Sequence, residues 1–177
     1  MCPFGMAWVL PGWGRNLNSK NASLPQEILE TTSCLAEELV GDYFGLGVRD
    51  WRGLQYQLFF EKELTLTEEA LAALFLFETE ALLPCRRRWF YGLFLAEREI
   101  LALDLKRPSL EALLLYIFTH ELVHMVRFLR FWASFWMPYE KRFAEEREVH
   151  RLCRKILRKI SKKELEEIIQ QFDQIYA

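Results

Sequence analysis

Residues that commonly bind metals or form disulfides are scarce in this chain of 177 residues, which has four cysteines and three histidines. The cysteines stand at positions 2, 34, 85 and 153 and include no C-x-x-C pair. This spacing argues against a cysteine zinc knuckle and against a dithiol redox motif. All three histidines, His120, His124 and His150, lie in the last third of the chain. Any histidine-based metal chemistry is therefore expected there.

A strong net charge is also absent, because 23 basic and 25 acidic residues give a formal charge of -2. The overall charge provides no electrostatic reason to expect nucleic acid or an anionic membrane as a partner. The basic run Arg151–Lys163 is interpreted as the solvated face of a helix. The alternative interpretation is a surface for an acidic partner.

The sequence contains no uncharged run long enough to span a membrane. Its apolar beginning, MCPFGMAWVLPGWG, lacks a preceding basic segment and is interrupted by Pro11 and by glycines, so it matches a signal peptide poorly. We therefore expect a soluble, cytoplasmic protein. Because 51% of the residues are hydrophobic, the chain is predicted to form one domain over residues 1–177 with a sizeable core.

The first part of the chain predicts a mixture of helix and strand. Residues 1–22 are expected to be irregular, and a helix is predicted from Ser23 to Gly41. Aromatic residues and partial alternation predict a strand over Leu54–Phe60. A further helix is predicted from Thr67 to Leu82, although its segment LAALFLFE also fits a buried strand. The run Arg87–Leu105 has two β-favouring stretches around AERE, which predict a hairpin or two edge strands.

Two long helices are predicted in the second part. The segment Leu110–Trp132 is apolar nearly all round, as expected for a central helix enclosed by the fold. A turn at Met137–Pro138 separates it from a second helix over Glu140–Ile160, and a last helix begins after Ser161. On the central helix His120 and His124 belong to one stripe.

The stretch FTHELVHMVRF contains His120, Glu121 and His124 in the spacing HExxH. On a helix the first and last of these residues present two imidazoles to one zinc ion, and the glutamate faces the water bound to that ion. His120 and His124 are thus predicted zinc ligands. Glu121 is predicted to be the general base and not a ligand.

A zinc ion in a hydrolase needs a third protein ligand. On the predicted helix Glu140–Ile160, Glu146 and His150 lie one turn apart on the stripe that should be buried. Glu146 is therefore the favoured third ligand, with His150 and Glu145 as alternatives. His150 and Tyr139 are also candidates to donate a hydrogen bond to the oxyanion that develops during hydrolysis.

The sequence THELVH, followed after 21 residues by EREVHRLC, resembles the gluzincin zinc metallopeptidases, and especially the small ImmA/IrrE-like members. In that family the HExxH helix precedes a helix of pattern E-x-x-A-[ND]-x-[FL]-A, whose first glutamate completes the zinc site; Glu146 stands at that position here. The resemblance covers about residues 92–157. It implies a mostly helical α+β fold in which a central HExxH helix is accompanied by a small antiparallel or mixed sheet and supporting helices.

The function expected from these patterns is hydrolysis of peptide bonds in a peptide or protein substrate by a zinc-activated water, with Glu121 as base. The alternative is a catalytically inactive module that a metal stabilises and that regulates or holds another protein. A third interpretation is a helical protein without metal, in which the histidines are core residues.

Overall fold

The computed structural model describes residues 6–7, 23–60, 71–78 and 89–176. These residues form two compact units in the chain. The first unit draws on residues 1–23 and 51–104 and contains a sheet, and the second comprises residues 24–50 and 105–177 and is helical. Within the predicted irregular segment 1–22, Met6–Ala7 form a short strand, β1, and the other residues lie outside the described part.

The sheet unit has four described strands in the order β1-β3-β4-β2, with β2 over Tyr56–Phe60, β3 over Ala72–Glu78 and β4 over Trp89–Leu95. Strands β3 and β4 pair antiparallel along their whole length, whereas β2 runs parallel to β4. A mixed sheet of this kind, in a chain that is otherwise mostly helical, confirms the predicted α+β class.

Two predictions in this region are wrong. The helix predicted from Thr67 to Leu82 is instead strand β3 where the structure describes it, because Ala72–Glu78 pair with β4 and long-range pairing outweighs local helix propensity. The buried strand given as the alternative for LAALFLFE is thus confirmed. The hairpin predicted in Arg87–Leu105 is one strand followed by a helix, α3, over Glu97–Ala102. Glu97 and Glu99 lie in its first turn, where acidic side chains stabilise a helix.

Gly92 is a point of close approach in the centre of β4. A Cβ atom at this position would overlap the ring of Phe77 and lie 3.1 Å from Cε2 of Phe59. We expect Gly92→Ala to lower the free energy of unfolding by about 1–3 kcal/mol, because the two rings must move apart. Urea denaturation measures this change. Gly47→Ala is the control, because its added Cβ meets nothing closer than 3.7 Å; equal losses in both variants would contradict the packing argument.

The helical unit is built around one central helix. Helix α4, Arg107–Leu129, packs against α1 (Gln26–Phe44), α5 (Tyr139–Leu157) and α6 (Lys163–Tyr176). The predicted central and second helices are thus confirmed in their main extent. A short helix, α2, spans Val48–Gly53.

The helix predicted over Ser23–Gly41 is displaced at both ends. Pro25 occupies the N-cap and α1 begins at Gln26, since proline suits the first turn, where N–H groups have no helical partner. The helix continues past Gly41 to Phe44 and ends at Gly45, which has φ 62° and donates its N–H to the carbonyl of Gly41. Glycine adopts the left-handed conformation after a helix more easily than other residues, so the helix ends at Gly45.

Helix α4 is long and apolar enough to cross a membrane by length and composition, with a mean hydropathy of 1.4 over its most apolar window. In this structure 89% of that window is buried within the protein. The burial is typical of a core helix.

Candidate metal centre

Helix α4 places His120 and His124 side by side. Pro108 lies in its first turn, and the leucine-rich sequence that follows is buried on nearly all sides. The two histidines are four residues apart and therefore project from the same face. Both are fully buried, and their ring centroids are 4.8 Å apart.

Helix α5 brings Glu146 to the same point. Its Oε2 atom lies 3.2 Å from Nε2 of His124 and 3.8 Å from Nε2 of His120. In the part of the chain that the structure describes, these three side chains form a group whose ligand atoms all lie within 4.8 Å of one another. The three residues predicted as zinc ligands from the sequence are thus close together in space.

The dimensions of this group fit a small divalent ion. Zinc binds nitrogen at about 2.0–2.1 Å, so a tetrahedral ion separates neighbouring ligand atoms by about 3.3 Å. The two distances from Glu146, 3.2 and 3.8 Å, lie near that value. Two imidazoles and one carboxylate are the ligand set of a catalytic zinc site, which keeps a fourth position for water.

The electrostatics of the two histidines differ. Burial, followed by the charges of His124 and His150, holds the pKa of His120 well below its ordinary value. Burial also acts to lower the pKa of His124, but the charge and hydrogen bond of Glu146 outweigh it and raise that pKa overall. His120 is therefore kept in the neutral form that binds metals, whereas a metal at His124 competes with a proton.

Glu145, the alternative ligand next to Glu146, makes a different contact. Both of its oxygens accept hydrogen bonds from Arg127, at 2.6 and 2.8 Å. Its Oε1 atom also lies 4.0 Å from Nδ1 of His124. A carboxylate held by a guanidinium in this two-pronged geometry has little capacity left for a metal. The arrangement favours Glu146 over Glu145 as the third ligand.

His150, the other alternative, has both ring nitrogens in hydrogen bonds. Its Nδ1 atom lies 2.8 Å from the hydroxyl of Tyr116, and its Nε2 atom lies 2.7 Å from Oδ1 of Asp173. Arg154 contacts the same Asp173 oxygen at 3.0 Å. Because burial is the largest influence, the pKa of His150 is lowered despite Asp173. We infer that a neutral His150 accepts a hydrogen bond from Tyr116 and donates one to Asp173.

Glu121 is also fully buried but is not a member of the three-residue group. Its charge contributes to raising the pKa values of His124, of the Cys153 thiol and of Tyr176. For Cys153 and Tyr176 burial is the larger cause. A carboxylate that lies near the predicted metal ligands without joining them is suited to the role of general base.

Tyr176, near the end of α6, is a site residue that the sequence reasoning missed. Its ring centroid lies 5.1 Å from that of His150, and the side chain is buried. Burial, followed by the charges of Glu146 and Glu121, raises its pKa, so the phenol keeps its proton and is able to donate a hydrogen bond. Tyr139, the oxyanion candidate from the sequence, lies at the first residue of α5 and is 82% exposed.

An open cavity of about 580 Å³ lies beside His150, between α5 and α6. Its lining includes His150, Asp173, Tyr176 and three arginines of α5, Arg147, Arg151 and Arg154. Two residues of the predicted basic face form ion pairs beside this cavity: Arg151 pairs with Glu148, and Arg154 pairs with Asp173.

No protein-family model, no curated protein and no solved structure matches this chain. The resemblance to gluzincin peptidases therefore stays a prediction, carried by the HExxH motif and Glu146.

Proposed function

We propose that the chain is a zinc-dependent peptidase whose metal is held by His120, His124 and Glu146. The observation that supports this proposal most strongly is the grouping of these three side chains within 4.8 Å, with the buried Glu121 next to His120 on the same helix. The HExxH spacing in the sequence and the short distances among His120, His124 and Glu146 both support one metal site.

Zinc held by these residues would supply a water of lowered pKa and would polarise the substrate carbonyl. Glu121 accepts the proton of the attacking water and then donates it to the nitrogen of the leaving amine, so its carboxylate is regenerated. The phenol of Tyr176 is the proposed hydrogen-bond donor to the oxyanion. Tyr139, the donor predicted from the sequence, is the alternative. His150, held by hydrogen bonds with Tyr116 and Asp173, packs against the Tyr176 ring at a centroid distance of 5.1 Å.

A second candidate, a metal-stabilised module without catalysis, is favoured by one observation. His120, Glu121 and His124 are fully buried, and among the three grouped residues Glu146 is the one with an exposed fraction, 17%. A catalytic site must admit a substrate, and little of this group is exposed to solvent. Turnover separates the two candidates.

Zinc-dependent cleavage is the expected result of incubating the full chain with a mixed peptide library. New peptide termini, detected by mass spectrometry, should appear with zinc, disappear with a chelator, and return when zinc is added back, because the water is activated by the metal. A chain that binds zinc and cleaves nothing would support the second candidate. A chain that binds no zinc would contradict both.

A further inference from the structure

The arginines that line the cavity between α5 and α6 come from one face of α5. Arg147, Arg151 and Arg154 are spaced four and three residues apart, so their side chains project from the same side of the helix. All three line the open cavity of about 580 Å³. Of the basic run Arg151–Lys163, only the first two arginines belong to this lining, and Arg147 precedes the run. The fold thus gathers three guanidinium groups at one cavity.

Carboxylates hold two of these guanidinium groups in position. Glu148 accepts hydrogen bonds from Nε and Nη2 of Arg151 at 2.7 and 2.5 Å. Asp173 on α6 lies 3.0 Å from Nη1 of Arg154. A guanidinium group has five N–H donors, so each of these pairs leaves donors for a ligand. Because the pairs restrict the arginine side chains before a ligand arrives, less entropy is lost when it binds.

The third arginine, Arg147, supplies a charge that its neighbours do not balance. Arg147 is exposed and forms no ion pair with another residue of the described segments. With Glu148 and Asp173 set against three guanidinium groups, the lining has an excess of one positive charge. Burial lowers the pKa of His150, so its ring adds no further charge. A ligand group with one negative charge balances this lining, whereas a phosphate monoester carries about -1.5 to -2 charges at neutral pH.

The size of the cavity suits a charged group that belongs to a longer chain. Pockets for small ligands usually measure about 300–1,000 Å³, and this cavity lies within that range. A carboxylate alone does not fill such a volume. Ala144 and the ring of Tyr176 also line the cavity and offer contacts to apolar atoms beside the carboxylate. Because the cavity is open, the chain on either side of the bound group is able to continue into the solvent.

We propose that the cavity lined by Arg147, Arg151 and Arg154 is a binding site for a carboxylate of a polypeptide. The carboxylate belongs either to the C-terminus or to an aspartate or glutamate side chain. Arginine suits this group, because the planar guanidinium donates two parallel hydrogen bonds to the two carboxylate oxygens. The inference goes beyond the proposed function, since it requires neither zinc nor cleavage.

The test is a peptide titration of the isotopically labelled full chain, followed by the NMR signals of its backbone N–H and arginine Nε–H groups. The chain carries Glu121→Gln so that peptides stay intact. Three pentapeptides of glycine and alanine have blocked N-termini: the first has a free C-terminal carboxylate, the second has an amide there, and the third has the amide and a central glutamate. We expect the first or the third peptide to bind about fivefold or more tightly than the second at low salt. The tighter of the two identifies the source of the carboxylate.

Substitution of the arginines locates the binding. Arg147→Gln and Arg151→Gln, made separately in this chain, should each remove most of the preference for the carboxylate. Arg158→Gln is the matched control, because it removes the same charge from an exposed residue at the end of α5 that does not line the cavity. Arg147 is exposed as well, so neither its substitution nor that of Arg158 should disturb the fold. The spectrum of each variant without peptide verifies this.

Other outcomes overturn the proposal. Equal binding of the carboxylate and amide peptides, or a preference that survives both cavity substitutions, shows that the cavity does not recognise carboxylates. Inorganic phosphate that binds more tightly than either carboxylate peptide, with the same dependence on Arg147, assigns the cavity to a phosphate ligand. Acetate that binds as tightly as the peptides assigns the cavity to small carboxylates and refutes the polypeptide.

The result is separable from the fate of the proposed function. A peptide carboxylate that binds to zinc would shift the signals of His120 and His124 without depending on Arg147. That result would refute the cavity site and leave the metal centre. Carboxylate binding through Arg147 in a wild-type chain that never cleaves peptides would refute the peptidase and leave the cavity site.

Discussion

Replacing Glu121 with glutamine is expected to lower the rate of peptide hydrolysis about a hundredfold or more, while zinc stays bound. The amide keeps the shape of the side chain but does not accept the proton of the attacking water. Glu121 is fully buried and lies outside the group of three proposed ligands, so its replacement should leave the metal in place. The cleavage rate and the zinc content of the same preparation are the two measurements.

The matched control is Glu111→Gln on the same helix. Glu111 pairs with Arg107 near the start of α4 and lies about three helical turns before Glu121. We expect this variant to cleave peptides at the wild-type rate. Loss of zinc from the Glu121 variant would make Glu121 a ligand, and the division of roles proposed here would be wrong.

Replacing Glu146 with alanine is expected to weaken zinc binding far more than replacing Glu145. Loss of a group that only supports a ligand costs about ten- to a hundredfold in metal affinity, and loss of a ligand should cost more than that. Glu145→Ala should instead reduce the stability of the fold by about 3 kcal/mol, because it leaves the largely buried Arg127 without its carboxylate. Zinc titration and urea denaturation of both variants measure the two effects.

Equal zinc affinities in the Glu146 and Glu145 variants would contradict this assignment. His150→Ala provides a further comparison, since both ring nitrogens of His150 already bond to Tyr116 and Asp173. Its loss should lower activity or affinity about ten- to a hundredfold without emptying the site. A His150 variant that binds no zinc would make His150 the third ligand.

The site helices were predictable because their signals are local. The positions of His120 and His124 on α4 follow from the period of the helix. The predicted buried stripe of α5 is only partly right, because His150 and Cys153 are buried but Phe143 is exposed, and Glu145 is more buried than Glu146. The choice between Glu146 and Glu145 needed the structure. It depends on Arg127, which is 18 residues away and on another helix.

The parts that the sequence did not predict depend on contacts between distant segments. For the residues of β3 the sequence left helix and strand open, and they form a strand because they pair with β4. Asp173 and Tyr176 reach His150 from α6, and no local pattern distinguishes them from the other residues of an amphipathic helix. No local pattern predicts the exposure of Phe131 and Tyr139 either.

The most direct test of the account is the metal content of the full chain, purified without chelator and measured by inductively coupled plasma mass spectrometry. The three proposed ligands on α4 and α5 predict one zinc ion per chain, retained on dialysis and lost in the Glu146→Ala variant. Protein that contains no zinc, and that takes up neither Zn²⁺ nor Co²⁺ on titration, would contradict the central claim that His120, His124 and Glu146 form a metal site.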